Sequence, residues 1–216
     1  MCGPRPTQTK EKKIMSFMGD VKSKFFLTTT AAGTAVVAAL ARPTSTFTLT
    51  GTSFGTNIGK QITATTAGSS DGGKTVALVG VGVDGAALEE TITLPGSATT
   101  TAGTTAYFVS ITSATVSAQP AANVSLGILT TSAGQVFGGP TRIRQANVYS
   151  GGAIGSVDFR NTSVTGTSLL TVRTNATEGN STTVNIPQDG VYFRDPGVFI
   201  TFDETDCNAA TVYYDG

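Results

Sequence analysis

KTVALVGVGVDGAALEETITL, residues 74–94, is the stretch on which the fold turns. Small and apolar residues run from Lys74 to Val83, and Asp84-Gly85 supplies the pair that a tight hairpin needs. Leu88, Ile92 and Leu94 then alternate with Glu89, Thr91 and Thr93, the period-two pattern of a half-buried strand. The same letters also contain two nucleotide-binding patterns. Gly68 to Thr75 satisfies G-x-x-x-x-G-K-[ST], but that loop must run into a helix whose amides meet the phosphates, and Val76-Ala77-Leu78-Val79 reads as a strand. Gly80-Val81-Gly82-Val83-Asp84-Gly85 matches G-x-G-x-x-G. Ala86 to Glu90 is too short for the helix it requires, and the acidic residue due about twenty positions on falls among threonines. Both matches are expected to be turns, with Asp71-Gly72 closing a hairpin like Asp84-Gly85.

Outward from this stretch the same style continues. Phe47 and Leu49 alternate with threonines, Ile62 sits in another run, and Val124, Leu126 and Ile128 form a third. Tyr107, Val109 and Ile111 give way to Ala114 and Val116, a change of parity that predicts a bulge or a bend. After Thr130–Gly134, read as a linker, strands are expected around Ile143, Val157 and Phe159, Leu170 and Val172, and Val184 and Ile186. Further ones are expected around Val191 and Phe193, Val198 to Phe202, and Val212 and Tyr214. Asp189-Gly190 and Asp195-Pro196-Gly197 mark turns. The expected fold is all-β: two tandem antiparallel β-sandwich or small-barrel domains, residues 43–131 and 132–216, behind an extended, partly helical N-terminal arm, residues 1–42.

Composition narrows the function. The 216 residues include no His, no Trp, two Cys and 13% charged residues, with 26 Gly against 8 Pro, and mean hydropathy is +0.09. Without His, Ser-His-Asp and Cys-His catalysis are excluded outright. Glu89 and Glu90 point to opposite faces of a strand and make a poor glycosidase pair. Asp203, Glu204 and Asp206 cluster near Cys207 without EF-hand spacing, which reads as an acidic loop. Cys2 and Cys207 form no disulfide framework and no zinc spacing. The sequons at Asn123, Asn161, Asn175 and Asn180 follow from abundant Ser and Thr. No catalytic, cofactor or metal residue is expected, and the chain reads as a non-enzymatic building block.

Charge is uneven. The arm carries seven basic residues, Arg5 to Arg42, against Glu11 and Asp20, so the remainder of this neutral chain is acidic. The basic residues are too few, and not Arg-rich enough, for a nucleic-acid arm, and no stretch is long enough to span a membrane. Lys22 and Lys24 precede a small-residue stretch ending Ala39-Leu40-Ala41 that mimics a secretory signal, but Thr28 to Thr30 interrupt it. A helix over Lys10–Phe26 would align Ile14, Phe17, Met18, Val21 and Phe25 on one face, to lie against a partner or, as the equal alternative, on its own domain. Partner contacts are therefore expected at Lys10, Lys12, Lys13, Phe17, Lys22, Lys24 and Phe25, and at Arg142 and Arg144, since Arg and aromatic residues favour interfaces. For these two arginines an ordinary solvated sheet face is the equal alternative.

Lys74 to Gly80, then Asp84-Gly85-Ala86 and Glu90 to Pro95, resembles a pattern in virion structural proteins of tailed phages, marine ones especially. Ile186-Pro187, Gly190 to Phe193, Gly197 to Ile200 and Thr211 to Tyr214 resemble the same group. The resemblance implies a β-rich accessory protein on the capsid surface, a decoration or cement protein whose partners are the major capsid protein, other virion proteins and copies of itself. It implies alternatively a tail or neck component, with a host surface glycan as a further partner. A bacterial surface adhesin is the alternative outside that group.

Overall fold

A computed structural model describes residues 21–27, 36, 42–54, 57–98, 100–187, 189–203 and 205–215. Among them there is no helix; fifteen strands pair antiparallel throughout. The protein is all-β.

One half packs two three-stranded sheets. The first is β5 (Thr101–Gly103), β2 (Ile62–Thr66) and β7 (Val124–Ile128); the second is β4 (Ala87–Thr93), β3 (Thr75–Gly82) and β6 (Phe108–Val116). On β3, Val76 and Leu78 are buried while Thr75 and Ala77 are only partly covered, so the alternation is that of a sheet with one face on a core. Ile62, Ala64, Val124, Leu126, Ile92, Ile111 and Ala114 complete that core with Val36, Phe47 and Phe54. β3 and β4 form the expected hairpin at Asp84-Gly85, where Gly85 has φ 80°. The bulge expected in β6 is present: register against β3 shifts at Val79/Gly80 and again at Val81/Gly82. Gly80 is required there, because a Cβ would lie 2.1 Å from the Ser110 carbonyl oxygen. The alternating run at Phe47 and Leu49 forms no regular strand. It lies along β6 through isolated bridges, Thr46 to Thr115 and Ser53 to Ser110.

The expectation at Asp71-Gly72 is corrected. β2 and β3 lie in different sheets, so residues 67–74 cross between sheets instead of closing a hairpin. Residues 117–123, between β6 and β7, make the reverse crossing beside them. Asp71, whose side chain has no exposed surface, stitches the two. It accepts from Lys74 Nζ (2.8 Å), the Ala121 and Ala122 amides (2.6 and 3.2 Å) and the Thr66 hydroxyl (3.0 Å). Burial raises a carboxyl pKa, but these donors outweigh it and hold Asp71 at about 2. Because the folded value lies below the ordinary 3.8, the stabilisation is full above pH 3.8 and is lost as pH falls through about 2. The carboxylate lies close under the surface, so screening leaves roughly 1–2 kcal/mol. Unfolding free energies from urea titrations between pH 5 and 2 are expected to fall by that amount through this group, and Asp71→Asn to start lower and lose this part of the acid slope.

The other half packs a five-stranded sheet, β1 (Lys22–Leu27), β15 (Cys207–Asp215), β9 (Thr141–Ser150) and β12 (Ser181–Asn185), with β13 (Val191–Phe193) also on β9. Opposite lies β11 (Ser168–Arg173), β10 (Ser156–Asn161), β14 (Gly197–Phe202) and β8 (Ala133–Gly138). Val148, Val157, Phe159, Phe193, Ile200 and Val212 fill the space between. β8 begins inside the expected linker at Thr130–Gly134. β14 is buried on nearly every residue, which explains the unbroken apolar run Val198-Phe199-Ile200: one face covers its own core and the other meets the first half.

The helix expected over Lys10–Phe26 does not hold at its end. Lys22–Leu27 is a strand, paired with β15 from Lys22 opposite Tyr214 to Leu27 opposite Ala209. A ladder along an open sheet edge satisfies backbone groups that a helix face could not, and it buries Phe26 completely beside Ala210. The earlier part of that segment lies outside the described residues.

Candidate functional site

Two features concentrate the unusual chemistry: the seam between the halves, and the end of the large sheet that carries β1. The seam is built on Ile58-Gly59-Lys60. Gly59 exchanges backbone hydrogen bonds with Gln135 of β8 (2.7 and 3.0 Å), and Lys60 does the same with Phe108 of β6 (2.7 and 2.9 Å). Two adjacent residues thus join sheets from opposite halves. Ile58 packs in the second core. Gly59 is required by closeness, since a Cβ would stand 2.4 Å from Val83 Cγ1. Lys60 is 1% exposed; its Nζ donates to the carbonyls of Thr131 (2.6 Å) and Ala133 (2.8 Å) and stands 5.6 Å from the Phe202 ring centre. A buried ammonium is tolerable only with such partners. Nothing in the sequence singled out Lys60, because a lone lysine in a Thr/Gly run is ordinarily solvated.

Beside this joint lies a cleft of about 460 Å³, lined by Asp84, Leu88, Tyr107, Thr162 and Phe199 among others. The Tyr107 and Phe199 rings meet edge to face at 5.3 Å, and burial raises the Tyr107 pKa. Thr162 holds φ at 69°, a left-handed conformation that a β-branched residue rarely adopts.

At the sheet end, the structure brings together residues far apart in sequence. Lys22, Lys24 and Phe25 on β1 lie one strand away from β9, which carries Arg142 and Arg144, with β15 between. Their side chains are used differently. Lys24 points inward, donating to the Val136 carbonyl (2.6 Å) and reaching the Val83 carbonyl (3.4 Å), one in each half. Its Nζ lies 5.2 Å from the Phe137 ring, and burial lowers its pKa to about 8, so it stays charged at neutral pH. Phe25 points outward and is 49% exposed, beside exposed Leu27 and Tyr213. Arg144 Nε donates to Asp215 Oδ2 at 2.6 Å. Arg142 donates to the Asp189 carbonyl (2.8 Å) and its guanidinium lies 5.5 Å from the Tyr192 ring. Lys10, Lys12, Lys13 and Phe17 lie outside the described residues.

The remaining acidic groups hold loops. Glu90 accepts from the Thr105 amide (2.7 Å), the Thr105 hydroxyl (3.0 Å) and the Ala106 amide (2.9 Å). Asp203 accepts from the Thr205 hydroxyl (2.7 Å) and amide (2.9 Å), which lower its pKa. Among the described residues no three acidic or thiol groups converge on a metal position, and no helix is long and apolar enough to cross a membrane. Cys207 is buried; Glu204 and Cys2 lie outside the described residues. No family model, curated protein or solved structure matches this chain.

Proposed function

We propose that the chain is a structural protein of a tailed-phage virion, a capsid decoration or cement protein that attaches through its N-terminal arm and stabilises the shell. The observation that carries the building-block reading is where the ionisable groups go. Lys60, Asp71, Glu90, Lys24 and Arg144 each hold one part of the fold against another. Their chemistry is spent on rigidity, in a chain without histidine. The sequence resemblance then supplies the particle. The arm is basic and the body acidic, which suits docking on an acidic shell or on neighbouring bodies.

Removing residues 1–20 tests this. The truncation keeps every described residue, β1 included, and removes Arg5, Lys10, Lys12 and Lys13; the truncated chain is expected to fold, as its melting curve checks, while losing its place on the particle. Undiminished incorporation overturns the docking role. A second reading, a tail or neck component that holds a host glycan, is favoured by the seam cleft, whose lining includes Tyr107, Asp84 and apolar Leu88. Copy number separates the two: hundreds per particle for a cement, and about six to eighteen for a tail ring.

A further inference from the structure

The path of the chain between the two cores singles out β1. Apart from Phe26 and Ile58, the buried members of the second core all come from residues 136–212. Ile58 is fixed in place by the Gly59–Gln135 and Lys60–Phe108 bonds on either side of the seam. Phe26 is flanked by no backbone bridge to the first half among the described residues; β1 reaches that half through side chains, Asn57 Nδ2 donating to the Phe25 carbonyl (3.3 Å) and Lys24 Nζ to the Val83 carbonyl (3.4 Å). Phe26 is carried by a six-residue strand, and the next described residue, Val36, belongs to the first core. Residues 133–215 therefore build a slot: an open edge on β15, a cavity for a phenylalanine beside Ala210, and the Val136 carbonyl waiting for an ammonium. β1 fills all three from outside.

We propose that β1 is an exchangeable strand, seated on its own sheet in a single chain and on the sheet of a neighbouring copy when copies are assembled. The bonds that β1 makes in its own chain are reproduced in a second copy: the six-residue ladder on β15, the buried Phe26, Lys24 on Val136 and Val83, and the Asn57 amide on the Phe25 carbonyl. Exchange then costs no contact, only the entropy of association, which close packing on a particle largely removes. Nine residue steps separate Leu27 from Val36, a span of at most roughly 30 Å when extended, which sets how near the neighbouring copy must lie. The partner is a second copy because the slot is shaped for this strand: Phe26 and Lys24 occupy the inward positions that Ala210 and Val212 face. The inference deepens the building-block reading by naming one partner, yet its test detects a link between copies whether or not any particle binds.

Ser23 and Tyr213 are exposed and directly opposite across β1 and β15, within the Cα separation that a disulfide bridges. Two differently tagged chains, each with Cys2→Ser, carry Ser23→Cys and Tyr213→Cys respectively, so that neither can close this pair alone. They are refolded together at high concentration, oxidised and separated without reductant. The expected product is a disulfide-linked pair carrying both tags, at least fivefold above a control in which Thr183→Cys, on β12, replaces Tyr213→Cys. Linked pairs no more abundant than that control overturn the exchange. Each variant's melting curve checks that the surface change leaves the fold intact.

Discussion

Lys60→Ala lowers the stability of the folded chain by about 3–5 kcal/mol, read as a drop in urea midpoint at unchanged m-value. The size follows from what the side chain does. Its ammonium is the donor for the Thr131 and Ala133 carbonyls, in a site with almost no water contact. Buried acceptors stripped of their partner cost about 1–3 kcal/mol each, and the emptied four-carbon stem adds a cavity. Lys60→Met separates the two contributions. It keeps the stem and removes the donor, so it is expected to recover about 1–2 kcal/mol of the loss. A change under 1 kcal/mol for Lys60→Ala would show that the seam does not depend on this residue.

Phe26→Ala is the second large effect, also about 3–5 kcal/mol, because a fully buried ring is deleted from a packed core. The adjacent Phe25 is the internal comparison. It sits on the outward side of the same strand, 49% exposed, and Phe25→Ala is expected to cost about 0.5 kcal/mol or less. The contrast between neighbours tests the placement of β1 itself. If Lys22–Leu27 were undocked the two substitutions would cost the same, and if it were the helix with Phe25 on its apolar face Phe25→Ala would be the costlier. A chain lacking residues 1–27 should show the Phe26 loss in full, whereas one lacking residues 1–20 should not.

Much of the fold was legible because a strand with one covered face writes its exposure into alternate residues. β3, β4, β7 and β10 show that pattern, and the hairpin at Asp84-Gly85 follows from a local need for a residue that accepts positive φ. The two phosphate-loop matches were dismissed for want of a helix, and strands β3 and β4 do follow them. Other elements were not legible. β8, with the run Ala133-Gly134-Gln135-Val136-Phe137, is covered on both sides and shows no alternation. β1 reads as a helix end because Phe25 continues the helical spacing of Ile14, Phe17, Met18 and Val21, whereas its strand pairing depends on β15. Asp71-Gly72 carries the letters of a hairpin, yet whether the next strand pairs with the last or crosses to another sheet depends on partners fifty residues away, Ala121 and Ala122.

The site divides in the same way. Lys24, Phe25, Arg142 and Arg144 were picked out by residue type, and charge and aromaticity are visible in a single chain of letters. That β15 would bring them into one sheet, turning Lys24 inward and Phe25 outward, came from long-range pairing alone.

By itself, then, the amino-acid order determined the all-β character, most of the strands and the absence of histidine chemistry, since each depends on side chains within a few positions of one another. Tertiary structure alone decided that Lys60 is buried, that Asp71 joins two crossings, and that residue 26 belongs to a core assembled more than a hundred positions later. Those outcomes depend on which carbonyls, amides and cavities converge in space, and local sequence holds no record of that convergence.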